Sequence, residues 1–208
     1  MFNDRRDAGK QLAEKLAALR GQNAVVLALP RGGVVTGYEI ARALSLPLDI
    51  ISVRKIGHPD SPEYAIGAVD ENGVTIFNET QAATIDQKWL TGETERQRQE
   101  AKRRSATYRP GKGPLSIAGK TAIIVDDGIA TGLTMRLAVR SAKAQKAAKI
   151  VIAVPVAPPE SVDTLKKEGA DEIIVLEPPE GFLGAVGAHY MRFEQVEDDE
   201  VIRLMRSI

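Results

Sequence analysis

The chain contains no cysteine, which excludes disulfides, zinc-thiolate sites and thiol catalysis. Its two histidines, His58 and His189, are too few for a histidine-rich metal centre. Aromatic residues amount to 4%, so a nucleic-acid surface built on stacking is poorly supplied. An excess of either charge is also missing. The 28 basic and 28 acidic side chains sum to zero, which argues against a general polyanion binder but leaves room for a local patch. The N-terminal stretch MFNDRRDAGK is polar, and no apolar run approaches a membrane span. No leader or membrane anchor is therefore expected, and the expected location is the reducing cytoplasm.

What is present fits one large domain carrying a substantial insertion. The 208 residues are 43% hydrophobic and 27% charged, enough to bury a real core. Leu12, Leu16 and Leu19 recur at helical spacing over Asp7 to Leu19. The continuous apolar run AVVLAL, residues 24 to 29, predicts a strand buried on both faces, as in a parallel sheet. PRGG follows, then a helix over 35 to 44 and a second strand, LDIISV, over 48 to 53. Residues 65 to 78 read as two short strands around Asn72-Gly73, a hairpin signal. Gln81 to Thr107 reads as a long charged helix with a break near Thr91-Gly92. TAIIVDD, IVIAVPV and EIIVLE read as three further strands, separated by helices over 133 to 146 and around 160 to 167. Strand, loop and helix thus repeat about five times. The expected fold is α/β and doubly wound, with a mainly parallel central sheet. The insertion is expected over about 59–112. A small hood is expected from the N-terminal helix and the tail, about 178–208. Right-handed crossovers place the loops that follow the strands along one sheet edge.

Three loops on that edge carry chemistry. VDDGIATGLT, residues 125 to 134, ends a buried strand on Asp126 and Asp127 and runs into small and hydroxyl residues. Gly128 and Gly132 allow a tight backbone, and N–H groups at the following helix start suit an anion. Thr131 and Thr134 add hydroxyl donors. The two carboxylates suit paired hydroxyls of a ribose, or the orientation of a magnesium ion. A structural alternative is that the acids only cap the next helix, but one acid would be enough for that. The loop lacks the lysine of GxxxxGK[ST], and no GxGxxG occurs, so a P-loop or dinucleotide site is disfavoured. In LPRGG, residues 29 to 33, the Gly32 and Gly33 N–H groups and Arg31 can face a second anion; the alternative is a tight turn with a surface arginine. Arg54-Lys55, at the end of the second strand, can neutralise a pyrophosphate, or form a solvated pair.

VDDGIATGLT resembles the signature of type I phosphoribosyltransferases, which bind phosphoribosyl pyrophosphate (PRPP). LPRGG occupies the place of that family's pyrophosphate loop, and VRKIG is similar to an Arg-Lys segment of its orotate-type members. The resemblance covers roughly residues 24 to 53 and 121 to 176. It implies that Asp126 and Asp127 bind the ribose hydroxyls. It implies that Gly128, Ile129, Ala130, Thr131, Gly132, Leu133 and Thr134 cradle the 5-phosphate. Pro30, Arg31, Gly32 and Gly33, with Arg54 and Lys55, would hold the pyrophosphate. A non-proline cis peptide in that loop is also implied. Arg31, Lys55, Asp126 and Asp127 would carry the catalytic roles, with Mg2+ arriving on PRPP. The implied reaction transfers the phosphoribosyl group to a nitrogenous base and releases pyrophosphate. Salvage enzymes for 6-oxopurines commonly carry an acid where this chain has Ala130. The departure implies an orotate-like base or another nucleophile. A homodimer is implied as well.

The remaining features leave alternatives open. A PRPP-sensing regulatory protein that binds nucleic acid or a protein partner is the second functional reading. Phe182 or Tyr190 reads as a core or lid contact before it reads as a stacking platform for an acceptor. His189 reads as a packed, hydrogen-bonded residue before a base. Arg96, Arg98, Lys102, Arg103, Arg104, Arg109 and Lys112 form a cationic run. It reads first as a solvated helix face, then as a lid over PRPP, then as an RNA surface.

Overall fold

The computed structural model describes residues 1–109 and 111–208. Its elements are α1 (Arg5–Lys15), β1 (Ala24–Ala28), α2 (Gly32–Leu44), β2 (Leu48–Ile50), β3 (Val53–His58), β4 (Ser61–Asp70), β5 (Thr75–Phe77), α3 (Glu79–Ala82), α4 (Gln87–Tyr108), β6 (Thr121–Val125), α5 (Leu133–Ala144), β7 (Lys149–Val154), α6 (Pro159–Glu168), β8 (Glu172–Val175) and α7 (Asp198–Arg206). Among the described residues, no helix is long and apolar enough to cross a membrane.

The central sheet has five parallel strands in the order β2-β1-β6-β7-β8. Its strands are mainly apolar because helices cover both faces, with Asp49 of β2 buried among them. Val26, Ala28, Ile123, Val125, Val151 and Ala153 face a core shared with α1, α2 and α7. Their neighbours Val25, Leu27, Ala122, Ile124, Ile150 and Ile152 face α5 and α6. Each fully buried Ile or Val here contributes about 1.5–3 kcal/mol relative to exposure. The strand order reverses between β1 and β6, which run in register from Ala24↔Thr121 to Ala28↔Val125. Both strands therefore end side by side, and the Leu29 N–H donates to the Val125 carbonyl at 2.9 Å. Such a switch point opens a crevice beyond the carboxyl ends of the strands.

The insertion differs in detail from the sequence reading. Val53–His58 leaves the parallel sheet and heads its own antiparallel sheet, β3-β4-β5. Arg54 and Lys55 thus lie in β3 rather than at the end of the second parallel strand. The Asn72-Gly73 turn is present, and Asp70 fastens it by accepting from the Asn72 and Val74 N–H groups at 2.9 and 2.8 Å. The charged helix breaks before Gln87, where Asp86 caps α4 by accepting from the Trp89 N–H at 2.7 Å. It runs unbroken through Thr91-Gly92, because a single exposed glycine costs a long helix only about 1 kcal/mol.

Hood contacts close the N-terminal and tail segments over the sheet. Phe2 and Tyr190 bridge the two segments, with ring centroids 5.4 Å apart. His189 is buried. Its Nδ1 lies 2.5 Å from Glu177 Oε2, and its Nε2 accepts from the Leu183 N–H at 3.0 Å. Phe182 stacks on His189. Tyr190 and His189 are thus buried, and Phe182, partly buried, packs against their cluster.

Candidate active site

The carboxyl ends of β1 and β6 press two loops together. α2 begins at Gly32, three residues earlier than the sequence suggests, with Arg31 as its N-cap and no side-chain cap. The Gly32 and Gly33 N–H groups therefore belong to the unsatisfied first turn of a helix, a position that favours anions. The preceding Pro30–Arg31 peptide is cis. A Cβ on Gly32 would lie 1.9 Å from Asp127 Oδ2, and one on Gly33 would lie 2.9 Å from Asp126 Cα. Only hydrogen fits at either position. Gly32→Ala is accordingly expected to fold while forcing the Asp127 carboxylate out of place. Ligand affinity should fall by roughly tenfold or more, about 1.4 kcal/mol per decade, and titration calorimetry reads it directly.

Asp126 and Asp127 do not cap the next helix. The N-cap of α5 is Gly132, at φ 74°, and no side chain caps it. The acids are engaged elsewhere. Asp126 Oδ1 accepts from the Asp127 N–H at 2.9 Å, and Asp127 Oδ2 accepts from Arg5 Nε at 2.6 Å. The two carboxyl groups also contact each other; apart from that contact, Asp126 Oδ2 and Asp127 Oδ1 have no hydrogen-bond partner among the described residues. Burial first, and the neighbouring Asp127 charge second, push the Asp126 carboxyl well above the usual carboxylate range. The loop beyond is held by buried Ile129, whose N–H donates to the Val156 carbonyl at 2.9 Å. Ala130 and Thr131 are exposed.

Next to the loops lies a cleft of about 490 Å3 whose wall includes Pro30, Arg54, Lys55, Arg96, Arg104 and Thr134. Among the described residues, the Arg54 side chain has only Gln97 as a hydrogen-bond partner, at 3.2 Å. Its own burial and the guanidiniums of Arg104, Arg96 and Arg103 hold it below the usual arginine range, with Glu100 opposing. Such a field of like charge is relieved by an anion. A second cleft, of about 500 Å3, adjoins Lys55, Tyr64, Phe77, Thr131, Leu133 and Arg136. Lys55 reaches both clefts, whereas Thr131 and Thr134 line different ones.

The predicted residues are thus gathered on one edge, though not into one cavity. Arg31 is turned toward the start of α7, 3.4 Å from Asp198 and 3.5 Å from Glu197. These exposed pairs are weak and exchangeable. The cationic run divides by role. Arg96, Arg98 and Arg103 pair along α4 with Glu93, Glu95 and Glu100. Arg104 turns to the cleft, and Arg109 is buried in the core. Sequence reading placed Arg104 only within the cationic run, with a lid over PRPP as its second reading, and missed Arg5 as the partner of Asp127. Both come from other elements, and spacing within the loops carries no sign of either.

Fold, switch-point crevice and paired acids together define a phosphoribosyl transferase domain. The model of that domain family matches residues 3–177, and the chain belongs to this family. A Mycobacterium tuberculosis protein of strain H37Rv, provisionally named a phosphoribosyl transferase, is 42% identical over 207 residues. The match spans 99% of this chain and 46% of that protein, and a second strain gives the same values. The chain therefore spans about half the length of the curated relatives it matches. A crystal structure of a Thermus thermophilus protein, also 42% identical, covers 99% of this chain and 98% of its own, with a TM-score of 0.84.

Proposed function

We propose that the protein binds PRPP with magnesium and transfers its phosphoribosyl group to a nitrogenous acceptor, releasing pyrophosphate. One observation carries the reading: at the β1–β6 switch point, two adjacent carboxylates each keep one oxygen that, among the described residues, has no partner outside the acid pair, and a sugar with two vicinal hydroxyls is the matching ligand. The helix starts at Gly32 and Leu133 offer N–H groups to the two phosphate ends. Arg54, Lys55 and Arg104 offset the charge that grows on pyrophosphate as the bond to the ribosyl carbon breaks. Arg31 joins them on exchanging its α7 carboxylates for phosphate.

Two carboxylates suit a magnesium ion that keeps its waters and arrives on phosphate oxygens, and Asp126 and Asp127 are the acids beside which it would sit. The ion would neutralise part of the pyrophosphate charge. The acceptor is proposed to be other than a 6-oxopurine, because Ala130 offers no group to take its proton.

The test is calorimetric titration of PRPP with magnesium into the wild type and an Asp126→Asn/Asp127→Asn double variant, with circular dichroism as the fold check. Saturable, magnesium-dependent binding that the variant loses is the expected result. A panel of bases scored by pyrophosphate release then identifies the acceptor. PRPP binding without release for any base would favour the PRPP-sensing reading. A folded wild type that binds no PRPP would remove both.

A further inference from the structure

Arg5 opens α1, yet its side chain reaches an acid of the site, 122 positions away in sequence. Its Nε donates to Asp127 Oδ2 at 2.6 Å and its Nη1 to the Glu194 carbonyl at 2.7 Å. The guanidinium lies 3.8 Å from the centroid of the Phe193 ring. It also lies close to Gly32, where an added Cβ would stand 2.9 Å from Nε. The pair is largely withdrawn from water, with side-chain exposures of 11% for Arg5 and 16% for Asp127. Tyr190 fixes the same residue from the main-chain side, its hydroxyl donating to the Asp127 carbonyl at 2.6 Å.

A desolvated ion pair is a poor way to gain stability, since apolar residues of similar volume do as well or better. What this one does is geometric. It ties a single oxygen of Asp127, just as the Asp127 N–H ties a single oxygen of Asp126. Without it, Asp127 would be free to rotate beside a like charge.

We propose that Arg5 is a positioning residue for the ribose-binding acids: by holding Asp127 Oδ2 it makes the adjacent carboxylates present one oxygen each to two vicinal hydroxyls. This rests on the PRPP reading above. The hood is then more than a cover for the acceptor, because its first helix completes the sugar site. Lysine would be an incomplete substitute. Its point charge can meet Asp127 but cannot also set a guanidinium over Phe193 and donate to Glu194.

The experiment separates the sugar end of the ligand from its pyrophosphate end. Wild type, Arg5→Gln, Arg5→Lys, Asp127→Asn and the Arg5→Gln/Asp127→Asn double variant are titrated with magnesium PRPP and, separately, with magnesium and inorganic pyrophosphate. Arg5→Gln is expected to weaken PRPP roughly tenfold, as loss of a hydrogen bond to a charged group implies, and to leave pyrophosphate within about twofold. Arg5→Lys should recover part of the loss. The double variant should bind no more weakly than Asp127→Asn alone, because Arg5 acts through that carboxylate. Unchanged PRPP affinity in Arg5→Gln would overturn the proposal, as would an equal loss for both ligands or full additivity with Asp127→Asn. If Arg5→Gln fails the circular-dichroism check, Arg5→Lys decides by the same criterion: a loss confined to PRPP supports the proposal, and no loss or an equal loss overturns it. A wild type that binds pyrophosphate but no PRPP would remove the PRPP reading itself, which none of the variant results can do.

Discussion

Asp126→Asn is expected to melt at a higher temperature than the wild type at neutral pH, and yet to lose its ligand. Burial and the Asp127 charge push the Asp126 carboxyl well above its ordinary range; the Asp127 N–H and the Arg5 cation oppose this without cancelling it. An unfolded aspartate titrates near about 3.9. The folded chain holds the proton more tightly than the unfolded chain, so rising pH favours unfolding until Asp126 has ionised in both states. The contribution of Asp126 to stability is thus fully present below about pH 4 and is lost as pH rises through the folded value. Asparagine keeps an oxygen for the Asp127 N–H at Oδ1 and carries no charge. Its advantage should therefore be largest near pH 7 and fade toward pH 4. For a chain of this size each kcal/mol corresponds to about 2–4 °C in Tm. Melting curves of both proteins across that range provide the check, and an equal gain at every pH would show that charge is not the cause. The opposite movement of stability and binding is what a site strained for function produces.

The parallel sheet was legible because its strands are buried on both faces. Ala24 to Leu29 and Thr121 to Val125 have no polar face to present, and that pattern has few other uses. The hairpin was legible from Asn72-Gly73, although β3 was not, since Val53 to His58 shows no strand alternation and pairs only with β4 of the separate sheet. The acids and glycines of the two loops were legible as a group because their demands are local. The Gly32 contact with Asp127 is a different matter: the sequence shows two glycines, and only the register of β1 on β6 says which carboxylate they must admit. Arg104, Arg5 and Arg109 look alike in sequence, as arginines on or beside charged helices. The fold assigns one to a cleft, one to an acid of the site and one to the core. That division depends on distances between elements far apart in the chain, which no local pattern encodes.

Arg109→Met should have the largest effect on stability. In sequence Arg109 closes a solvent-loving cationic run; in the structure it is the pin between the insertion and the parallel sheet. Its Nε donates to Asp49 Oδ1 at 2.5 Å, its Nη1 to Glu71 Oε2 at 2.8 Å and its Nη2 to the Ile50 carbonyl at 2.6 Å. Nη1 also bonds Ser105 on α4. The side chains of Arg109 and Asp49 are 7% and 5% exposed, and that of Glu71 is 15% exposed. One guanidinium therefore joins β2, the turn between β4 and β5, and the end of α4, while Asp49 Oδ2 also accepts from the Leu115 N–H at 2.7 Å. Methionine fills similar space but leaves two carboxylates buried near each other without a counter-charge. Removing one partner of such a cluster costs about 3–5 kcal/mol, which for this chain length lowers Tm by roughly 6–20 °C. Restoring neutrality by adding Asp49→Asn and Glu71→Gln should recover much of the loss, since the penalty lies in the stranded charges and not in the missing arginine. A triple variant as unstable as Arg109→Met would instead show that the guanidinium's bonds to Ile50 and Ser105 hold the insertion in place. Because Arg54, Lys55 and Arg104 all ride on that insertion, pyrophosphate affinity measured below the melting transition reports whether the pin also sets the site.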